Sequence, residues 1–293
     1  EFWLSVQDNE TQSTYGLLEQ TDSLGNWGAD ENDQQILSEC RFNTEQIDKE
    51  TAEQLLRCRD QHGPGTLVLG DSHAVDLFGV LAARFDNDFL VGITQGGCRP
   101  HTNSPGCQYD GVAEFLRANA GVFSGVIYEQ AGFYLLKEED NTPGSREMFA
   151  PLKLTDPVEG VVVDSDHVQG TSDYLSDLSR YVPVKWFLPR AEPHITDTQI
   201  MERGCEFGFS YRPNQKELFD TLDSFIQVHV ANHASSDLTT VSQNRLFDFN
   251  FPDDFMNCKE IYWSDGDHLS AAGEVRFGHR LQSSFLAFDV APK

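Results

Sequence analysis

Positive charge is scarce in this sequence. Lysine and arginine together number 21 against 47 aspartates and glutamates, a net charge of −26 over 293 residues. A field of that sign repels phosphate backbones and anionic membrane surfaces, so nucleic acid is not an expected partner. The acidic residues are scattered, as in Glu138-Glu139-Asp140 and Asp253-Asp254, and read as solvated surface rather than as a tail. No apolar stretch approaches the roughly 20 residues that a membrane-spanning helix requires. No Cys-x-x-Cys occurs among the cysteines, which disfavours zinc ribbons and thioredoxin-like redox motifs. His101, His194, His229 and His233 have no spacing to cysteines or carboxylates that builds a metal site, and no basic, phosphate-cradling loop offers to hold acyl-CoA. No cofactor is therefore expected. A leader is also missing at Glu1-Phe2, so the expectation is a mature piece of a longer protein whose targeting and membrane segments lie outside it.

What is present suits a globular fold. Hydrophobic residues make up 39% of the chain, and its length allows an α/β unit of roughly 200 to 230 residues plus an extension. Residues 1–60 are polar and rich in Gln, Asp and Glu, and read as a linker and helical extension; residues 61–293 read as one catalytic-size domain. Strands are expected over 66–70, 88–94, 122–129, 182–188 and 259–263, with a short one at Val161 to Val163. Helices are expected over 74–85, 110–120, 172–180, 213–229 and 270–286, and residues 137–160 read as a long loop. In helix 213–229, Leu218, Leu222, Phe225 and Ile226 recur at helical spacing as a core stripe. The alternation predicts an α/β fold, a three-layer α/β/α sandwich around a central, mostly parallel sheet, with ligands at the sheet's carboxyl edge.

Two motifs carry chemistry. The apolar run Thr66-Leu67-Val68-Leu69 leads directly into Gly70-Asp71-Ser72-His73, a strand, a glycine turn and a serine at the start of a helix. That arrangement exposes a hydroxyl beside the free amides of a helix N-terminus, although turns of this composition are common and mostly structural. Near the other end stands Trp263-Ser264-Asp265-Gly266-Asp267-His268-Leu269-Ser270, with Ser270 as the N-cap of the last helix. A serine needs a base, and an imidazole is a good base when a carboxylate fixes its tautomer; Asp265, three residues before His268, can do so on one short loop. Alone, the triplet could equally decorate an acidic turn.

Together the motifs resemble the SGNH (GDSL-like) hydrolase superfamily. They are most similar to the SGNH domains fused behind acyltransferase-3 membrane proteins, which O-acetylate bacterial surface glycans. The resemblance rests on Gly70 to His73, on Cys98-Arg99-Pro100, and on Asp265 to Ser270 with Gly273, and spans roughly residues 66 to 286. It implies Ser72 as nucleophile, His268 as base and Asp265 as its orienting partner. It also implies an oxyanion hole of the Ser72 amide and the Gly97 amide, with Gly96 the alternative. The family's Gly-x-Asn-Asp block is missing; the corresponding stretch is Val126-Ile127-Tyr128-Glu129-Gln130-Ala131-Gly132, where Gln130 either supplies a third donor or faces the surface. The implied reaction is acetyl transfer to a cell-surface polysaccharide through an acyl-serine. The implied partners are an acetyl donor, a glycan acceptor and a membrane-embedded acyltransferase domain outside this chain. A secreted carbohydrate acetylesterase would use the same residues. A silent glycan-binding module is the reading from a different class, with Trp186, Phe207, Phe209 and Tyr211 stacking on sugars.

Two decoys need separating from these residues. Asp164-Ser165-Asp166-His167 is a second Asp-x-x-His, but no Leu-Ser and no helix start follow it in the sequence reading. His73 adjoins the nucleophile, and a neighbour on a tight turn is expected to be a supporting residue rather than the base. The six cysteines permit fifteen pairings; joining neighbours gives Cys40–Cys58, Cys98–Cys107 and Cys205–Cys258. Disulfides imply an oxidising compartment, periplasmic or extracellular, where glycan acetylation is expected.

Overall fold

The computed structural model describes residues 6–24, 36–86, 88–101, 106–107, 109–148, 153–234, 237–282 and 288. The first half of the chain runs α1 (Asn9–Leu24), β1 (Ile36–Ser38), β2 (Arg41–Thr44), α2 (Lys49–His62), β3 (Gly65–Gly70), α3 (Ser72–Arg84), β4 (Leu90–Thr94), α4 (Tyr109–Ala118), β5 (Phe123–Glu129). The second half continues with β6 (Leu136–Glu138), α5 (Ser145–Met148), β7 (Val161–Val163), α6 (Ser165–Leu178), β8 (Val184–Leu188), α7 (Asp197–Arg203), α8 (Gln215–His233), β9 (Leu238–Ser242), α9 (Gln243–Phe247) and α10 (Ala271–Gly278).

Seven strands form one sheet in the order β1-β2-β4-β3-β5-β8-β9, and β6 pairs with β7 in a small antiparallel ribbon. Only β1 is antiparallel in the large sheet. The strands from β4 to β9 follow the doubly wound order 2-1-3-4-5, which opens a crevice at the carboxyl ends of the two strands where the winding reverses, β3 and β5. All of β3 is buried, and its side chains alternate between two cores. Leu67 and Leu69, with Val91, Val126 and Trp186, pack against Leu55, Val112, Leu175 and Leu222 from α2, α4, α6 and α8. Val68, with Leu90, Ile127 and Phe187, packs against Leu77, Ile200 and Phe277 from α3, α7 and α10. The three-layer α/β/α sandwich follows from that alternation.

The structure departs from the sequence reading in several places. Residues 36–62 are not an extension: β2 pairs in parallel with β4, and the Cys40–Cys58 disulfide ties the β1–β2 turn to α2. Segment 259–263 is not a sheet strand but makes isolated bridges, Met256 to Ile261 and Trp263 to Leu269; the sheet edge is taken by β9. Helix α6 starts at Ser165, immediately after Asp164, which caps it by accepting from the Asp166 and His167 amides. The stretch 137–160 is not all loop, since it holds most of β6 and α5. In α8, Leu222 and Ile226 are buried as expected, whereas Phe225 is exposed and Phe219 takes its place in the core. The last helix begins at its predicted cap, with the Ser270 hydroxyl accepting from the Gly273 amide at 3.1 Å, but it ends at Gly278 rather than at 286.

The cysteines pair as neighbours, Cys40–Cys58, Cys98–Cys107 and Cys205–Cys258, and none is free. Three disulfides are the mark of a protein from an oxidising compartment. Among the described residues no helix is long and apolar enough to cross a membrane.

Candidate active site

The β3–α3 junction is shaped by a close approach of two strands. Gly70 has φ +153°, and a side chain there would run into the Glu129 carbonyl oxygen on β5, so only glycine lets the strands close up. Asp71 then caps α3, accepting from the His73 amide at 3.0 Å and, across the crevice, from the Ala131 amide at 3.0 Å. Burial pushes its carboxyl up to about 7 against the pull of those two amides. Ser72 is thereby the first residue of α3, half-buried at the switch point between β3 and β5.

Residues 264–269 form a loop closed by the Ser264 amide donating to the His268 carbonyl at 2.9 Å. Inside it, Asp265 Oδ1 accepts from the Asp267 and His268 amides, and Asp265 Oδ2 lies 2.8 Å from His268 Nδ1. The loop docks on the first turns of the Ser72 helix. The Leu269 amide donates to Asp76 Oδ2 at 2.9 Å, His73 Nε2 lies 3.3 Å from Asp267 Oδ2, and the His73 and His268 rings meet edge-on at 5.1 Å. His268 Nε2 is buried and has no hydrogen-bond partner, so no bond joins it to the Ser72 hydroxyl. Asp265 and His268 are thus brought together, and Ser72 stands at the start of the helix they dock on.

The electrostatics of the loop are those of an ion pair. Burial opposes a charge on His268, but the Asp265 hydrogen bond and the Asp76 and Asp267 carboxylates push its pKa up to about 10. Asp265 is held well below the usual carboxylate range because, against burial, its hydrogen bond to His268 and the charge of that ring dominate. His73 is fully buried, and burial with the nearby Arg190 cation drives its pKa well below the ordinary histidine value. It stands as a neutral support for Asp267, as expected of a neighbour on the turn.

The Gly96-Gly97 turn follows β4, tied to β3 by the Gln95 amide donating to the Gly70 carbonyl at 3.1 Å. Gly97 has φ +71°, and the space where a side chain would stand is open up to the Tyr134 hydroxyl, 4.0 Å away. The Cys98–Cys107 disulfide closes the loop behind it. Gln130 does not face the surface. It is fully buried, its Oε1 accepting from the Tyr128 hydroxyl at 2.6 Å and from Thr171 at 3.4 Å, while Nε2 carries an unused donor. Of the proposed sugar-stacking aromatics, Trp186 and Phe209 are core residues and Tyr211 packs edge-on against Phe251; Phe207 alone is exposed.

The second Asp-x-x-His is a helix start. Its His167 Nδ1 lies 3.0 Å from the Tyr134 carbonyl oxygen, and its ring stacks on His101 at 4.3 Å. Burial, with His167 and Arg99 nearby, lowers His101 to about 3.

Sequence reasoning missed the buried charges beneath the site. Arg190, 1% exposed, donates to Glu129 Oε1 at 2.7 Å, to the Asp76 carboxylate and to the Asp267 carbonyl at 3.1 Å. It therefore clamps β5, α3 and the His268 loop to the end of β8. Glu192 accepts from the Gly132 amide at 2.6 Å and lies 3.0 Å from His194 Nε2. A signal was present: Asp76 sits one helical turn after Ser72, and Pro189-Arg190-Ala191-Glu192-Pro193-His194 puts charges at the exit of a buried strand. Among the described residues, His73, Asp267 and His268 are the group that could hold a metal ion, one ligand atom from each lying within 4.8 Å of the others.

No family model and no curated protein matches the chain. A solved structure described only as a crystal structure is similar at 14% identity, covering 74% of this chain and 94% of its own, with a TM-score of 0.38. At that level the likeness carries no argument.

Proposed function

We propose that this chain is the catalytic domain of an extracytoplasmic, SGNH-type serine O-acyltransferase that moves acetyl groups onto a cell-surface polysaccharide. One observation carries the reading. A histidine fixed through Nδ1 by a carboxylate, with its buried Nε2 unspent, sits on a loop docked against the helix that Ser72 opens.

The steps follow from the triad. His268 Nε2 accepts the Ser72 hydroxyl proton as Oγ attacks the ester carbonyl, and Asp265 steadies the imidazolium. The Ser72 and Gly97 amides donate to the tetrahedral oxyanion, each worth about 3–4 kcal/mol on deletion, with Gln130 Nε2 as third donor. Collapse expels the donor alkoxide, which takes the proton from His268 and leaves an acetyl-serine. A sugar hydroxyl then gives its proton to His268 and attacks the acetyl carbonyl; Ser72 Oγ leaves and takes that proton back from His268, which restores both groups. A membrane-embedded partner outside this chain supplies the acetyl group in this scheme.

Water in place of the sugar would make the same residues an esterase. The deciding experiment labels the protein with a serine-directed phosphonate, then incubates it with an acetyl donor ester and candidate oligosaccharides and follows product masses. A single adduct at Ser72 and acetylated sugar that needs intact Ser72 are expected. Acetate alone, with pre-acetylated glycans losing their groups, would make the protein an acetylesterase.

A further inference from the structure

Cations are rare in this chain, 21 against 47 acidic residues, yet three of them line one cavity. A hollow of about 500 Å³ is lined by Lys153, Arg203, Arg212, His194 and Phe207, and among the described residues Glu202 is the only carboxylate on its wall. That volume falls within the range of small-ligand pockets. Arg212 is a structural cation, buried and paired with Glu147 at 2.8 Å. Lys153 and Arg203 are exposed and make no ion pair among the described residues. Arg203 instead lays its guanidinium 5.2 Å from the centre of the exposed Phe207 ring. Phe209 meets that ring edge-on at 4.8 Å, so the pair presents a charged fork with the exposed part of an aromatic ring. That matches a sugar that carries a carboxylate: the fork takes the anion and the uncovered ring surface takes the apolar face of the pyranose.

One wall residue of the cavity, His194, also contacts the loop that carries His268. His194, on its wall, has a left-handed backbone, φ +50°, an unfavourable conformation for a residue with a side chain. The conformation is held from the loop, since the His194 amide donates to the Gly266 carbonyl at 2.6 Å. A side chain at Gly266 would come within 3.0 Å of His194 Cα, so the two segments are in backbone contact. Gly266 lies between Asp265 and His268.

We infer that this cavity is an acceptor subsite for an anionic sugar, with Lys153 and Arg203 binding a uronate carboxylate and Phe207 its ring. The inference rests on the acyltransferase reading and names the substrate class of that same site. It leads to an acidic polysaccharide as acceptor, despite the repulsion such a polymer meets from the rest of the molecule.

The test compares, by calorimetry with the whole chain, a short oligogalacturonate and the same oligomer with its carboxylates reduced to alcohols. The acidic oligomer should bind at least about tenfold more tightly, the size of one charge-assisted contact. The preference should shrink as salt is added. Lys153→Glu and Arg203→Glu, at exposed positions and with melting temperatures checked, should each bring the ratio close to one, and Arg203→Lys should keep part of it. Equal affinity for the two oligomers, or a ratio kept in both charge-reversal variants, would overturn the subsite. Absence of a phosphonate adduct at Ser72 is a separate result, which would overturn the acyltransferase reading instead.

Discussion

In the proposed mechanism Ser72, His268 and Asp265 handle one proton between them, so their replacements should not act independently. Ser72→Ala and His268→Ala should each cut hydrolysis of a small acetyl ester by about 10³-fold or more, and the double variant should be little worse than either single one. Asp265→Asn should lose as much or less. His167→Ala should stay near the native rate, because that ring is stacked on His101 and bonded to the Tyr134 carbonyl. Clear additivity of the first two losses would sink the covalent mechanism. The pH profile follows from the same geometry. Only neutral His268 can take the serine proton, and its pKa is pushed up to about 10. The rate with the small ester should therefore climb through the neutral and alkaline range, about tenfold per unit, and level off near 10. For stability the sign is opposite: a raised histidine pKa contributes stability that is complete below the unfolded value and fades as pH rises through about 10. Asp265→Asn removes the leading upward influence, so the rise should move to lower pH. A rate already flat at neutral pH in the native protein would refute the ion-pair description of the loop.

The elements meet at Arg190, which β8 delivers and which bonds β5, α3 and the His268 loop together. Arg190→Met leaves Asp76 and Glu129 buried without their cation, a loss of about 3–5 kcal/mol. Arg190→Lys should recover little, since one ammonium cannot reach three partners in the geometry of a planar fork. Denaturant titration checks both, and native-like stability in Arg190→Met would show the clamp to be dispensable. This clamp also explains what could be read in advance. The central strands were legible because a strand buried on both faces is a continuous apolar run, as Leu67 to Leu69 and Val126 to Tyr128 are. The Ser72 turn and the Asp265–His268 loop were legible because each shows a pattern within four positions, although both are also held by partners far along the chain. Strands β2 and β9 were not, since Arg41-Phe42-Asn43-Thr44 and Leu238-Thr239-Thr240-Val241-Ser242 carry little apolar signal and gain their pairing from β4 and β8. The role of Arg190 was harder to read for a related reason: the charges at the exit of β8 were a signal, but its partners lie 61 and 114 positions away. The start of α6 was missed because Asp164 was weighed as a triad carboxylate rather than as a cap.

At the scale of the whole molecule, the three disulfides do different work. Cys40–Cys58 joins the β1–β2 edge to α2, Cys205–Cys258 bridges 53 positions at the core that α3, α7 and α10 cover, and Cys98–Cys107 closes nine positions directly behind the Gly97 turn. Each closure is worth about 2–4 kcal/mol by the chain-entropy account, which depends on the model of the unfolded state, and the longer loop should contribute more. Stability and activity should therefore separate. Cys40→Ser with Cys58→Ser should lower the melting temperature while the surviving folded protein turns over the small ester at the native rate, because that bridge lies outside the site. Cys98→Ser with Cys107→Ser should do the reverse. The nine-position loop adds the least stability, but its release frees the Gly97 amide that the proposed oxyanion hole needs, so kcat should fall by about 10²-fold or more, the range for losing one oxyanion donor. Both pairs are compared by calorimetric unfolding and by turnover per molecule of phosphonate-titrated protein, which counts folded active sites directly. If opening Cys98–Cys107 left turnover per titrated site unchanged, Gly97 would not be the donor, and Gly96 or the Gln130 amide would have to carry that role.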